Sequence, residues 1–416
     1  MRIRPIPALL PALACSLAVA DDPPAPRPLP AFDRIVLDDD FPGAYQVEVA
    51  DVDADGRPDV IALGGGTCAW YRNPSWRKRI ITGPDATPGI ISSAATDLDG
   101  DGRAEVAIAY DFAMLEPKRG SLGLASPGDS PDDPWTFRPL VEVPSIHRVR
   151  WADVDGDGRP DLVVAPLFGP EAASPSFQQA LAVLVVYPNV EKGADLPEPD
   201  RVNRVPVQHA IAIERAPGSA RDAVLSANNL GVTFHRALDS SFLPAEQVEF
   251  RLPIVRGAFG PAPQRGASEV HLGRRSDARA LLVTIEPWHG TTVAAYEAPL
   301  VPHRLLGRVP GAFGPRVILD DSLDEGHALW LADVNGDGID EVFAGHRGED
   351  HRVSAYHHDG SSWVRTVLDR DIAAQDLRGG DLDGDGTPDV VAVGGSTHNV
   401  VWYRPHSGDT RNPPRE

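Results

Sequence analysis

The chain has 416 residues, and its 60 Asp and Glu against 39 Lys and Arg leave a formal charge of −21. That balance argues against nucleic acid and anionic membrane surfaces as partners, since binding there relies on clustered Lys and Arg; it suits divalent cations. No apolar run beyond the N-terminus reaches membrane-spanning length, so no membrane span is expected, and at this length the domain count has to come from pattern.

Residues 1–20, MRIRPIPALLPALACSLAVA, place Arg2 and Arg4 before an apolar stretch that ends in Ala18-Val19-Ala20, the order of a secretory signal peptide. A secreted or periplasmic protein is expected. An acylated Cys15 is the weaker reading, because the apolar run continues through Leu17 and Val19. With the signal removed, Cys68 is the one remaining thiol and no intramolecular disulfide can form. Residues 21–31 read as a proline-rich spacer, 32–405 as the folded unit and 406–416 as a solvated tail.

A nine-residue acidic pattern then recurs: DVDADGRPD at 51–59, DLDGDGRAE at 97–105, DVDGDGRPD at 153–161, DVNGDGIDE at 333–341 and DLDGDGTPD at 381–389. Successive starts lie 46, 56, 180 and 48 residues apart, and the long gap has room for two units without the signature, at 208–236 and 268–297. Each unit alternates apolar and β-branched residues between Gly and Asp turns, giving about four short strands per repeat of about 45 residues, the dimension of a propeller blade. The prediction is an all-β, seven-bladed β-propeller. The last unit stops after its third strand, NVVWYRP, whereas FDRIVLD at 32–38 looks like a fourth strand with no blade ahead of it. The N-terminal strand is therefore expected to complete the last blade and close the ring.

In D-x-D-x-D-G-x-x-D the first, third and fifth side chains face one side of a hard cation, glycine permits the turn, and the ninth residue closes the shell; six or seven oxygens at about 2.4 Å hold Ca²⁺ in this way. The candidate metal ligands are Asp51, Asp53, Asp55 and Asp59; Asp97, Asp99, Asp101 and Glu105; Asp153, Asp155, Asp157 and Asp161; Asp333, Asn335, Asp337 and Glu341; and Asp381, Asp383, Asp385 and Asp389. Up to five structural Ca²⁺ ions are expected. On these loops the chain resembles the FG-GAP or VCBS repeat family of calcium-loop propellers, and the resemblance implies loops that staple first and second strands rather than catalyse.

Six residues before each loop stand Tyr45, Ile91, His147, His327 and Gln375, and strand alignment puts His209 and Ser268 or Glu269 in the same place in the other two units. If the loops lie at one end of the innermost strands, these residues meet at the other end, around the channel. The second strands return to that rim, bringing Tyr110-Asp111, Asn228-Asn229, Glu286-Pro287-Trp288-His289, His346-Arg347 and Thr397-His398. His147, His209 and His327 are the candidate ligands of Zn²⁺ or Mn²⁺ at the channel mouth, or its acid/base groups. His346 and His289 are further catalytic candidates, and Arg148, Arg347 and Glu286 would orient an anionic or hydroxylated substrate; Trp288 could stack on a sugar ring. A lone strand histidine is usually an ordinary hydrogen-bonding side chain, the reading given to His303, His357, His358 and His406.

Blade ends WYRNP (70–74) and VVWYRP (400–405) are similar to the propeller portion of the aldos-2-ulose dehydratases, which implies action on keto-sugars. No G-x-S-x-G elbow, H-E-x-x-H helix, P-loop or Rossmann fingerprint is present. The expected function is a secreted, metal-assisted carbohydrate lyase or dehydratase that takes a carbohydrate or other small-molecule ligand. The alternative is a non-catalytic, adhesion-type propeller that binds a glycan or protein.

Overall fold

The computed structural model describes residues 26–215, 219–235, 253–276, 279–299 and 313–406. The signal-like segment, residues 21–25 of the spacer, His303 and the tail beyond His406 lie outside the described residues. Among the described residues every regular element is a strand, and no helix is long and apolar enough to cross a membrane.

The strands form seven small antiparallel sheets, a seven-bladed propeller. The innermost strands are Ala44–Ala50, Ser92–Thr96, Ile146–Ala152, Gln208–Arg215, Glu269–Ser276, Gly326–Ala332 and Ala374–Gly380. Each touches the next, and the seventh touches the first, so the inner strands come full circle. Both units that lack the acidic signature are blades: Gln208–Arg215, Asp222–Asn228 and Gly231–His235 make the fourth, and the strands beginning at Glu269, Arg279, Thr292 and Val317 make the fifth. Ala31–Asp38 pairs antiparallel with Asn399–His406 and is the outer strand of the seventh sheet, with Ile35 opposite Trp402. That strand takes in His406, one residue beyond the expected end of the folded unit.

The core lies between blades, and the second strands show why. In DVIALG (59–64) every residue is buried, because both faces of the strand are covered. Successive side chains point to opposite faces: Val60 and Ala62 pack toward Val391, Val393 and Trp402 of the seventh blade, while Ile61 and Leu63 pack toward Val106 and Ile108 of the second. The Val-, Ile- and Ala-rich second strands thus serve two neighbours each.

A tyrosine staple repeats on top of this packing. Tyr71 donates to Asp38 at 2.5 Å, Tyr356 to Asp320 at 2.8 Å and Tyr403 to Asp369 at 2.7 Å. In each case the tyrosine sits on a third strand and the carboxylate ends the outer strand of the preceding blade.

Candidate functional site at the channel mouth

Five innermost strands carry a β-bulge at one shared position. In the first blade Ala44 faces Gly64 and Gln46 faces Leu63, which leaves Tyr45 over. His147, His209, His327 and Gln375 are left over in the same way. A bulge re-aims the extra side chain out of the alternation of its strand, and here the re-aimed residues converge. Ring centroids lie 4.8 Å apart for His147 and His209, 5.0 Å for His209 and His327, and 5.3 Å for Tyr45 and His327.

The backbone of the next blade fixes the tautomer of each inner-strand imidazole. His147 Nδ1 donates to the His209 carbonyl at 2.8 Å, His209 Nδ1 to the Ser268 carbonyl at 3.0 Å, and His327 Nδ1 to the Gln375 carbonyl at 2.6 Å. A carbonyl can only accept, so the proton resides on Nδ1 and the Nε2 lone pair faces the axis. The Glu269 carboxylate also lies 2.9 Å from His209 Nδ1. Burial first, and then the cationic neighbours Arg148 and Arg347, hold His147, His209, His289 and His327 well below the ordinary imidazole value. They are neutral at physiological pH, the form that binds metals.

His289 enters from the rim of the fifth blade, with a left-handed backbone (φ 48°) that brings its Nε2 within 3.1 Å of His209 Nε2. Arg347 Nη2 donates to His289 Nδ1 at 3.2 Å, and a guanidinium cannot accept, so His289 carries its proton on Nε2 and gives it to His209. The same Arg347 holds Gln375 Oε1 at 3.0 Å and Glu325 at 3.0 Å.

The ligating nitrogens of His209, His289 and His327 all lie within 4.8 Å of one another. Neutral donors, inward lone pairs and carbonyl-anchored Nδ1 atoms fit a Zn²⁺-type ion with an open position. One rearrangement is required: His289 must move its proton to Nδ1, and Arg347 Nη2 must release it. The third ligand place expected for His147 falls instead to His289. His147 belongs to the same cluster, but its Nε2 accepts from Arg148 Nη1 at 3.1 Å and lies 3.1 Å from the Tyr45 hydroxyl.

Three expectations for the rim are corrected. Glu286 is fully buried inside the fifth blade, where it accepts from Thr284 at 2.7 Å and Tyr296 at 2.6 Å and pairs with Arg316 at 2.7 Å; it orients no substrate. His346 is buried and bonds through Nδ1 to the Asp324 carbonyl at 3.0 Å, with no contact to the histidine cluster among the described residues. Trp288 is also buried, edge-on to Phe168 and Phe177, so it forms the dry wall behind His209 and His289 rather than a sugar platform. Arg148 stands one residue below the histidine tier, 3.9 Å from Glu269 and over the Tyr45 ring at 5.3 Å. Tyr45 is the site residue that sequence reasoning left without a role, although it shares the histidines' register.

At the opposite end the acidic loops are preshaped by their own backbone. The first aspartate accepts from the glycine amide at position six in all five, with Asp153 to Gly158 at 3.2 Å and Asp51 to Gly56 at 2.9 Å as examples. The ninth residue does more than the sequence implies, because it also clasps the amide of position two: Asp59 to Val52 at 3.0 Å, Glu105 to Leu98 at 3.0 Å, Asp161 to Val154 at 2.9 Å, Glu341 to Val334 at 3.0 Å and Asp389 to Leu382 at 2.7 Å. Carboxylate oxygens cluster within 4.8 Å in the first, third and seventh blades, from Asp51, Asp53 and Asp59; Asp153, Asp155 and Asp161; and Asp381, Asp383 and Asp385, and these fit a hard cation.

Competing groups reach into the first, second and sixth loops. In the first, Arg72 Nε donates to Asp53 at 2.5 Å. Asp97, Asp99 and Asp101 cluster, but Lys192 Nζ reaches in from the third blade to Asp99 at 2.7 Å and Glu105 at 2.8 Å. In the sixth blade the Arg27 amide donates to Asp337 at 2.9 Å, and Asn335 donates to the Arg27 carbonyl at 3.1 Å.

Against known proteins, the family model of the FG-GAP-like repeat matches residues 42–108 and 333–392. The chain carries FG-GAP-like repeats. It is 24% identical over 364 residues to aldos-2-ulose dehydratase of Phanerodontia chrysosporium, an alignment that covers 79% of this chain and 39% of that protein. Among solved structures, a chain of the mitotic checkpoint complex aligns over 98% of this chain and 99% of its own, with a TM-score of 0.52 and 12% identity. The exotype rhamnogalacturonan lyase YesX aligns over 92% of this chain and 76% of its own, with a TM-score of 0.47 and 12% identity. At such identities the structural likeness concerns architecture alone.

Proposed function

We propose that the protein is a secreted or periplasmic carbohydrate lyase or dehydratase whose metal-assisted site is the channel mouth, with calcium in its acidic loops as structural support. The observation that carries this reading is the convergence of His209, His289 and His327 nitrogens within 4.8 Å, beside the Tyr45 hydroxyl. The dehydratase named among its relatives supports the reaction class.

A divalent transition ion held by the three imidazoles would polarise a substrate carbonyl or carboxylate and acidify the adjacent C–H. Tyr45 is placed to take that proton while passing its own to a neighbouring imidazole: its hydroxyl lies 3.1 Å from His147 Nε2 and 3.3 Å from His327 Nε2. The C–H pair forms the new C=C bond as the β C–O bond breaks, and the departing oxygen takes up the proton removed through Tyr45 and leaves as water or alcohol. Arg347, at the rim, presents its charge to a carboxylate or hydroxyl of the substrate.

Metal analysis of the purified protein, with an unsaturated-product assay on keto-sugars and uronic sugars, tests the proposal. The expected result is stoichiometric Zn or Mn, activity lost in the His209→Ala, His289→Ala, His327→Ala triple variant, and activity reduced by about 10²- to 10⁴-fold in Tyr45→Phe. Calcium alone, with full turnover in the triple variant, refutes the metal-assisted mechanism. Glycan binding without turnover in the wild type makes the protein a non-catalytic binding propeller.

A further inference from the structure

Below the histidine tier, toward the acidic loops, lies a cavity of about 250 Å³ to which six of the seven innermost strands contribute. Its titratable lining is Glu48, Arg150, His271 and Arg378, with Trp151 and Ile211 among its apolar walls. Arg150 and Arg378 each stand three residues along the strand from a bulge residue, His147 and Gln375, which puts the cavity about 10 Å further down the axis. Arg148, Glu269 and Asp376 lie at the level between.

The hydrogen bonding of this lining is lopsided. The carboxylates are committed: Glu48 accepts from the Ala95 amide at 2.8 Å, and Asp376 accepts from the amides of Val47 and Leu377 and pairs with Arg378 at 2.9 Å. Arg150 finds only the Val149 carbonyl at 2.7 Å and Ser92 at 3.4 Å, both through Nη1, and no carboxylate pairs with it among the described residues. Arg378 adds only the Leu377 carbonyl at 2.7 Å, again through Nη1. The remaining donors of both forks have no acceptor among the described residues.

The charge balance is lopsided too. Burial raises Glu48 and Asp376 above the ordinary carboxylate value. Burial and the like charge of Arg378 bring Arg150 down to about 10, still a cation at neutral pH. The cavity therefore holds two guanidiniums with donors that no carboxylate takes up, an arrangement that a bound anion satisfies.

We propose that this lower cavity is a binding site for a small oxyanion, a phosphate, sulfate or short carboxylate, held between the free forks of Arg150 and Arg378 with His271 as a further donor. At about 250 Å³ it admits such an ion with a few waters and lies below the usual range for drug-sized ligands. The site is separate from the histidine centre and stands whether or not that centre is catalytic.

Two measurements on the full chain test it. Thermal denaturation with phosphate up to roughly 20 mM, at ionic strength held constant with chloride, should show a saturating rise in Tm. Arg150→Gln and Arg378→Gln should each weaken the apparent affinity at least about tenfold, and His271→Ala, on the other wall, should weaken it less. Wild-type crystals soaked in selenate should give an anomalous peak between the two guanidiniums, a readout that requires no variant to fold. No rise in Tm, a rise that only tracks the salting-out effect of the anion and survives in the variants, or water alone in the cavity of selenate-soaked crystals overturns the proposal.

Discussion

Lys192 shows how one side chain can decide the metal content of a repeat. The second loop carries the full acidic signature, yet an ammonium from the neighbouring blade bridges its third and ninth carboxylates at 2.7 and 2.8 Å, and these carboxylates raise the Lys192 pKa against the opposing effect of its partial burial. A cation tethered to the chain competes with a free one for the same oxygens. In the sixth loop the neutral Arg27 amide donates to Asp337 at 2.9 Å, an occupied acceptor rather than a competing charge. The expectation from sequence is up to five calcium ions; carboxylates cluster in the first, second, third and seventh blades, and Arg72 on Asp53 at 2.5 Å and Lys192 on Asp99 at 2.7 Å are the tethered competitors in the first and second. Calcium counted after gel filtration in metal-free buffer should therefore fall short of five per chain and rise by one in Lys192→Met. Five ions in the wild type would show that Lys192 and Arg27 simply step aside. In either case chelation should lower Tm, because an ion that binds only the folded state stabilises it by mass action.

At the level of strands and loops, the sequence disclosed position better than orientation. The loop signature located five innermost strands, and counting back six residues found Tyr45, His147, His327 and Gln375, because the distance from loop to channel mouth is a strand length and strand lengths are regular. What it did not disclose was the bulge that turns those residues inward, since a bulge depends on pairing with the second strand. His289 was weakly legible for a similar reason: its reach to His209 depends on one positive φ in a rim loop. Glu286 and His346 were misread because both end second strands, where a side chain can turn into the blade as readily as toward the axis, and here Tyr296 and the Asp324 carbonyl capture them. The charged lower tier left a trace, the alternate-residue pairs Arg148/Arg150, Glu269/His271 and Asp376/Arg378, which expose a charged strand face to the channel.

The tyrosine staples, also elements of the repeat, give acid lability a location. Burial works against ionisation of Asp320, but hydrogen bonds from Ser322, Arg365 and Tyr356 outweigh it and hold the carboxyl well below the ordinary range; Lys78 and Tyr71 do the same for Asp38. A carboxyl whose folded pKa is depressed contributes stability above its unfolded pKa of about 4 and loses it as pH falls through the folded value. Unfolding midpoints taken in chelator, so that calcium does not titrate with them, should decline below about pH 4. Tyr356→Phe should cost about 1–2 kcal/mol at neutral pH, since one hydrogen bond to a charged acceptor is removed while Arg365 and Ser322 remain. Denaturant melts at pH 7 and pH 3 measure both effects; an acid limb that is flat, or a Tyr356→Phe variant as stable as the wild type, would move the acid-sensitive contact elsewhere.

For the whole molecule the question is what keeps a ring of seven sheets shut when its blades arise in chain order. Six junctions between neighbouring blades are continuous in the chain, and one, between the seventh and the first, is not. Across that last junction Val391, Val393 and Trp402 meet Val47, Val60 and Ala62, and hydrogen bonds run from Asn73 Nδ2 to the Leu382 carbonyl at 2.7 Å and from the Val47 amide to Asp376 at 3.3 Å. Ala31–Asp38 lies over the seventh blade and belongs to the same chain that enters the first, with Ile35 and Leu37 packed on this cluster. It is fixed at both ends of its length, by Arg34 to Asp369 at 2.7 Å and Asp33 to Arg404 at 2.6 Å on one side and by Tyr71 to Asp38 on the other. Arg34 and Tyr71 reach the sixth and first blades, so one strand ties three blades together. Removing residues 1–38 should therefore lower Tm far more than deleting an outer strand elsewhere would, and it exposes the edge of Asn399–His406 as a template for pairing with another chain. Calorimetry with light scattering checks both consequences, and adding back a peptide of residues 26–42 should restore Tm in proportion to its occupancy. A truncated protein that stays monomeric with an unchanged Tm would mean that the direct junction of the seventh and first blades holds the ring without the strand.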